Sequence, residues 1–164
     1  MGLTISPSLG TELRRLIELL DCDVERRYAS LGLNYRPRFT PIVRAIERLG
    51  SASIKAIAQD SGLSHSAVSQ TVAQMEKLGL LKLKPGSDSR ERIAQPTEIL
   101  IEMLPLLHIQ WEATNRAAAK LDAELSASLL QTVGEAIAAL QRRSFADRIG
   151  DEARVPTAIE SLTD

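Results

Sequence analysis

The chain has 164 residues, of which 44% are hydrophobic, with a formal net charge of -1 and a single cysteine. That length suits one globular domain, the lone thiol excludes an intramolecular disulfide, and the near-neutral total excludes a uniformly basic coat for nucleic acid. No apolar run has membrane-spanning length, no repeat or low-complexity run occurs, and no basic segment followed by a hydrophobic one opens the chain, so a cytoplasmic protein is expected.

The first predicted element is a helix from Pro7 to Ser30. Leu9, Leu13, Leu16, Ile17, Leu20 and Val24 recur in it at helical spacing. It anchors an amino-terminal region, residues 7–35, read as part of a dimerisation surface.

The region 36–95 carries the densest pattern. Ser53 can cap a short helix in which Ile54, Ile57 and Ala58 share a face, and Asp60-Ser61-Gly62 ends it, because glycine accepts the left-handed conformation of helix ends. Ala58 and Gly62 are also small where two helices are expected to cross closely. Ser64 can cap a second helix to Leu78, with Val68, Thr71, Val72, Met75 and Leu78 inward. Its outer face is short and polar: Ser66, Ser69, Gln70, Ala73 and Lys77. Such a face suits a major groove, where hydroxyls and amides reach base edges without holding the backbone away; an ordinary solvated hairpin of helices is the bland alternative.

Two strand patterns follow. Leu81 and Leu83 alternate with Lys82 and Lys84, Ile93 comes after the turn Pro85-Gly86-Ser87-Asp88, and a hairpin would bury the aliphatics and expose the lysines. Arg90 and Arg92 lie at or just past the tip, where a guanidinium can enter a narrow minor groove, and Asp88 is close enough to orient Arg90.

A long helix is expected after Pro96-Thr97, carrying Ile99, Leu100, Met103, Leu104, Leu107 and Trp111, with Pro105 kinking it. One further helix is expected from about Ser126 to Arg148, with Leu129, Leu130, Val133, Ile137, Leu140 and Phe145. These place a second dimerisation region at 96–149, followed by a mobile tail at 150–164. The three long amphipathic helices carry more apolar surface than one protomer hides, so a twofold dimer holding two recognition helices about one DNA turn apart is expected.

Charge is segregated along the chain. Residues 36–95 hold ten Lys and Arg against five acids, net +5, whereas 96–164 hold six against eleven, net -5. Phosphate attraction is therefore expected to be local to the middle region and salt-dependent.

The run Asp60-Ser61-Gly62-Leu63-Ser64-His65-Ser66-Ala67-Val68-Ser69-Gln70-Thr71-Val72, then Met75-Glu76-Lys77-Leu78-Gly79-Leu80, Asp88-Ser89-Arg90 and Pro96-Thr97-Glu98, resembles the multiple-antibiotic-resistance regulator (MarR) family over about residues 8–148. The resemblance implies a mainly α fold with a small β-hairpin wing, a winged helix-turn-helix flanked by amino- and carboxy-terminal dimerisation helices. It implies a homodimeric transcription factor, usually a repressor, that binds a pseudo-palindromic operator in double-stranded DNA and is often released by a small molecule. It places Ser66, Ser69 and Gln70 nearest the DNA and makes Arg90 the wing arginine with Asp88 its partner. Together with Ser64, His65 near a phosphate, Lys77, Lys82, Lys84 and Arg92, these form the candidate DNA-binding set. Gln70 departs from the pattern, since many members carry a basic residue there; its amide suits adenine N6 and N7 but forgoes a phosphate contact.

The resemblance also implies an effector pocket between the dimerisation helices and the DNA module, drawing here on Tyr28, Tyr35, Arg38, Phe39, His108 and Trp111; large side chains at a helix junction equally read as core. His108 and Glu112 stand one helical turn apart without a third ligand, so no metal is expected, and no cofactor. Cys22 sits between Asp21 and Asp23, which disfavour a thiolate and a redox-sensing role. No phosphate-cradling loop, nucleophile elbow or catalytic constellation appears, so no enzyme is expected. The competing reading is a winged-helix module that docks an acidic protein partner.

Overall fold

The computed structural model describes residues 8–86 and 91–153. The chain divides after Trp111 into two compact units. Among the described residues, the first holds four α-helices, the start of a fifth and a three-stranded sheet, and the boundary with the second falls within that fifth helix.

Helix α1 spans Leu9–Ser30, opened by Ser8, whose hydroxyl accepts from Thr11 N at 3.2 Å. Only its carboxy-terminal part is rooted in the core, through buried Tyr28 and partly buried Val24. A short 3-10 turn at Pro37–Phe39 leads into α2, Thr40–Leu49. Pro41 presets the backbone of the first turn, Ile42, Val43, Ala45 and Ile46 are buried, and Gly50 closes the helix with a φ of 73°. This helix lies outside the sequence expectation, as does strand β1, Ala52–Ser53.

The helix-turn-helix follows as expected. Ser53 caps α3, Ile54–Ser61, by accepting from Ala56 N, and Ser64 caps α4, His65–Lys77, by accepting from Ala67 N, both at 3.2 Å. Gly62 between them has a φ of 70°, which a side chain would strain. A Cβ there would meet nothing within 4 Å, so the expected close helix crossing at Gly62 is not what requires glycine; the backbone conformation is. Ile57, Val68, Val72 and Met75 face inward and are wholly buried, joining Phe39, Ile42, Leu80, Leu81, Ala94, Leu100 and Leu107 in one core. Each such aliphatic or aromatic side chain contributes about 1.5–3 kcal/mol on burial.

α4 ends in a tight turn: Gly79, with a φ of 72°, donates to Glu76 O, and Leu80 N reaches back to Met75 O at 2.9 Å. β2, Leu81–Pro85, then pairs antiparallel with β3, Arg92–Pro96, with Leu83 opposite Ala94 and Lys84 opposite Ile93. β3 also pairs with β1, so the sheet order is β1-β3-β2 and β2 is an edge. Leu81 and Ala94 are buried and Lys82 and Lys84 exposed, the alternation expected of a half-buried hairpin.

Thr97 links β3 to α5, Glu98–Ala123, which runs continuously through Pro105. In the second unit, the single helix expected from Ser126 to Arg148 is two: α6, Leu129–Arg142, and α7, Phe145–Glu152. Two caps explain the correction. Ser128 accepts from Gln131 N and Ser144 from Asp147 N, at 3.2 and 3.1 Å, while Arg143 takes an extended backbone (φ -148°, ψ 121°) that stops α6. Asp122 adds to the first cap, its carboxylate accepting from Leu129 N at 2.6 Å. No described helix is long and apolar enough to cross a membrane.

Candidate nucleic-acid interface

α4 is amphipathic in the sense that a groove-reading helix requires. Val68, Val72 and Met75 fix it to the core, which leaves Ser66, Ser69, Gln70 and Lys77 exposed on the other side. Ser64 and His65 are exposed at its amino-terminal end, where free backbone N–H groups and the helix dipole favour an anion. The preceding helix is held in place by Arg48 of α2, which donates to Asp60 near the end of α3. That guanidinium keeps the Asp60 carboxyl below the usual carboxylate range.

The wing adds cations to the same module. Lys82, Lys84 and Arg92 are exposed on β2 and β3. Asp88 and Arg90, the expected wing pair, lie outside the described residues. Gly86 N donates to Glu91 O at 2.8 Å, which carries the hairpin ladder past the strand ends, and Glu91 lies so close that a Cβ at Gly86 would stand 2.9 Å from its Cβ, an atom that no side-chain rotation moves away. Glycine is thus required on steric grounds at that point.

The six residues of the expected effector pocket differ in burial, and Tyr28 and Trp111 interact. Tyr28, Tyr35 and Phe39 are buried and meet edge to face, with ring centroids 5.1 and 5.6 Å apart. Burial pushes both phenols above their ordinary range, so they are neutral hydrogen-bonding groups, and Tyr35 O–H contacts Thr40 Oγ1 at 3.3 Å. Arg38 is exposed with its guanidinium 5.9 Å from the Phe39 ring centre. Trp111 is buried beneath Arg44, 4.9 Å from its ring centre, and tilts against His108, whose Nε2 lies 2.7 Å from Glu47 Oε1. Thr40, Arg44 and Glu47 contact Tyr35, Trp111 and His108 respectively, which was not legible in the sequence because the contacts are made between elements. A shallow open depression of about 480 Å³ lies elsewhere, along α1, lined by Glu18, Asp21, Cys22, Glu25, Arg26 and Ala29. There burial, then the charge of Glu25, holds the Asp21 carboxyl above its usual range.

Two capped helices crossing at a glycine turn, with a β-hairpin directly after the second, define a winged helix-turn-helix protein. Residues 40–91, from the start of α2 to the wing, match the model of the MarR family; they include the likened run from Asp60 to Leu80 and Asp88-Ser89-Arg90, but not Pro96-Thr97-Glu98 or the flanking helices. No curated protein sequence matches the chain. Among solved structures, the chain resembles the Mycobacterium tuberculosis transcriptional regulator MOSR in complex with DNA, with a TM-score of 0.64, 18% identity, and coverage of 87% of this chain and 99% of that one. It also resembles the PcaV regulator of Streptomyces coelicolor in complex with its natural ligand (TM-score 0.60, 16% identity, 87% and 98% covered). A MarR protein from Peptoclostridium difficile is similar at a TM-score of 0.59 and 16% identity, with 87% and 91% covered. The chain therefore has the fold of MarR-family transcriptional regulators.

Proposed function

We propose that this protein is a homodimeric, sequence-specific DNA-binding regulator, a repressor whose grip on its operator responds to a small ligand. The observation that carries the reading is the exposed row Ser66, Ser69 and Gln70 on a helix whose other face is locked in the core, beside the exposed wing lysines. With α4 in the major groove, its serine hydroxyls reach bases and phosphates, and Gln70 offers a bidentate amide to adenine. Lys77, Lys82, Lys84 and Arg92 supply phosphate attraction, and Arg90 takes the minor-groove role, with Asp88 as the partner that the resemblance implies.

In this reading residues 36–95 read DNA, and residues 7–35 and 96–149 join two protomers so that two copies of α4 meet successive major grooves. The DNA complex of the MOSR relative supports the first part, and the ligand complex of the PcaV relative supports the second site. The effector is assigned to the aromatic cluster of Tyr28, Tyr35, Arg38, Phe39, His108 and Trp111, whose neutral phenols and nearby guanidiniums suit a phenolic or carboxylic molecule.

Fluorescence anisotropy with the DNA upstream of the chain's own gene, run against a shuffled duplex between about 50 and 200 mM salt, tests the reading. Specific binding that falls steeply with salt is expected, because released counterions drive it. Equal binding to both duplexes at every salt concentration would instead favour a docking module for an acidic protein.

A further inference from the structure

Sheet order makes β2 the outer strand of the wing, and its hydrogen-bond phase determines which of its N–H groups are free. Gly86 N donates to Glu91 O and Thr97 N to Leu80 O, so the even-numbered residues of β2 face β3 and the N–H positions of Leu81, Leu83 and Pro85 point away from it. Pro85 has no N–H. The Leu83 N–H is taken by a side chain from another element: it donates to Glu76 Oε1, in the last turn of α4, at 3.1 Å. Glu76 is exposed and contributes nothing to the core, so this bond is its visible role.

We infer that Glu76 is a positioning residue that clasps the wing to the recognition helix and sets the angle between the two DNA-contacting elements. The inference rests on the DNA-binding reading above for its consequence, though not for its existence. The chain between α4 and β2 is only Leu78, Gly79 and Leu80, so a bond from Glu76 to Leu83 closes a small ring around that turn and removes its remaining freedom to swing. Leu83 stands between Lys82 and Lys84, so the clasp holds the backbone from which both exposed lysines project. It also covers an edge N–H that would otherwise invite pairing with a further strand.

The full chain is compared with Glu76→Ala and Glu76→Gln, the latter keeping an acceptor oxygen without the charge. Amide hydrogen exchange is read at Leu83, with the Lys82 and Lys84 amides, which face β3, as internal controls. Faster exchange at Leu83 alone is expected in Glu76→Ala, with protection largely restored in Glu76→Gln. Binding to the tightest duplex should weaken by about threefold to tenfold in Glu76→Ala and by less than about twofold in Glu76→Gln, since a loosened wing must be ordered on binding. Unchanged Leu83 exchange in Glu76→Ala would overturn the clasp. So would equal tightening of DNA binding in both variants, which would make Glu76 merely an acid repelled by phosphate. If the unmodified chain binds no duplex, the DNA reading alone fails, and Leu83 exchange still upholds or overturns the clasp.

Discussion

Thr97 joins three parts of the winged helix-turn-helix, and replacing it with valine tests how they are held. Its Oγ1 lies 2.6 Å from Gly79 O and 3.0 Å from Leu80 O, and it stands 3.4 Å from Leu100 N in the first turn of α5. One hydroxyl proton serves one carbonyl well, so the bond to Gly79 is the principal one. Leu80 O keeps a second donor, Thr97 N at 3.1 Å, in any variant. Valine preserves the branched shape and removes only the hydroxyl. The expected cost is about 1 kcal/mol for the bond to Gly79, about 0.5 kcal/mol for a long capping contact, and a further fraction for a partly buried carbonyl left without that donor. The total is about 2 kcal/mol, roughly thirtyfold in the folding equilibrium.

Urea unfolding followed by circular dichroism, at fixed protomer concentration because association shifts apparent stability, measures it. The midpoint should fall in Thr97→Val with the slope unchanged, and Thr97→Ser should retain most of the stability. A Thr97→Val protein within about 0.5 kcal/mol of the parent would refute the reasoning, as would a Thr97→Ser protein as unstable as Thr97→Val, since serine keeps the hydroxyl held responsible.

Gln70→Ala should lose about 1–3 kcal/mol at one operator position and little elsewhere, as read by binding to a set of single-base variants; uniform weakening on every duplex would reassign Gln70 to the backbone. Gly62→Ala should destabilise by about 1–2 kcal/mol in spite of the open space around it, because the cost is conformational, and Gly62→Asn should lose less. Arg48 depresses the Asp60 carboxyl from its ordinary value of 3.8, so the stability of that pair is complete above that pH and is lost as pH falls through the lower folded-state value. Asp60→Asn should therefore flatten the acid limb of a plot of urea midpoint against pH, and an unchanged limb would show that the pair contributes nothing.

Caps and glycines made the helix-turn-helix legible. Ser53, Gly62 and Ser64 each carry a local rule, and the inward stripe of α4 follows from spacing alone. α2 is marked in the same way, by Thr40-Pro41 at its start and Gly50 at its end, yet it lies between two more conspicuous patterns. β1 is different in kind, since Ala52 and Ser53 have little strand propensity and become a strand only because β3 lies alongside. The apolar spacing from Leu129 to Phe145 suggests one helix, and only the capping choice of Ser144 breaks it. The exposed polar side chains of α4 were readable because a polar helix face needs no partner. Glu76, Arg48 and Arg44 were not, because their contacts join elements distant in sequence or in kind.

Both units leave apolar helix faces exposed that a second protomer would cover. α1 has 22 residues but buries only Tyr28, and Leu9, Leu13, Ile17 and Leu20 all face solvent, Leu9 at 72%. A helix rooted only near its carboxy-terminal end, through Val24 and Tyr28, has little to hold its first turns in water, because most helical stability comes from packing an apolar face. α6 and α7 bury no residue at all, although Leu130 (83% exposed), Val133, Ile137, Leu140, Phe145 and Ile149 recur along them. Covering half a dozen such side chains contributes on the order of 10 kcal/mol, the same size as the cost of joining two chains, so loss of two of them should tip the balance. Leu130→Lys with Ile137→Lys is expected to give a monomer by light scattering at micromolar concentration. Its DNA binding should weaken far more than any loss of folding by circular dichroism explains, since each protomer then meets one half-site alone. A parent chain that is monomeric under the same conditions with and without DNA, or a doubly substituted chain that remains dimeric, would show that these faces are not where two protomers meet.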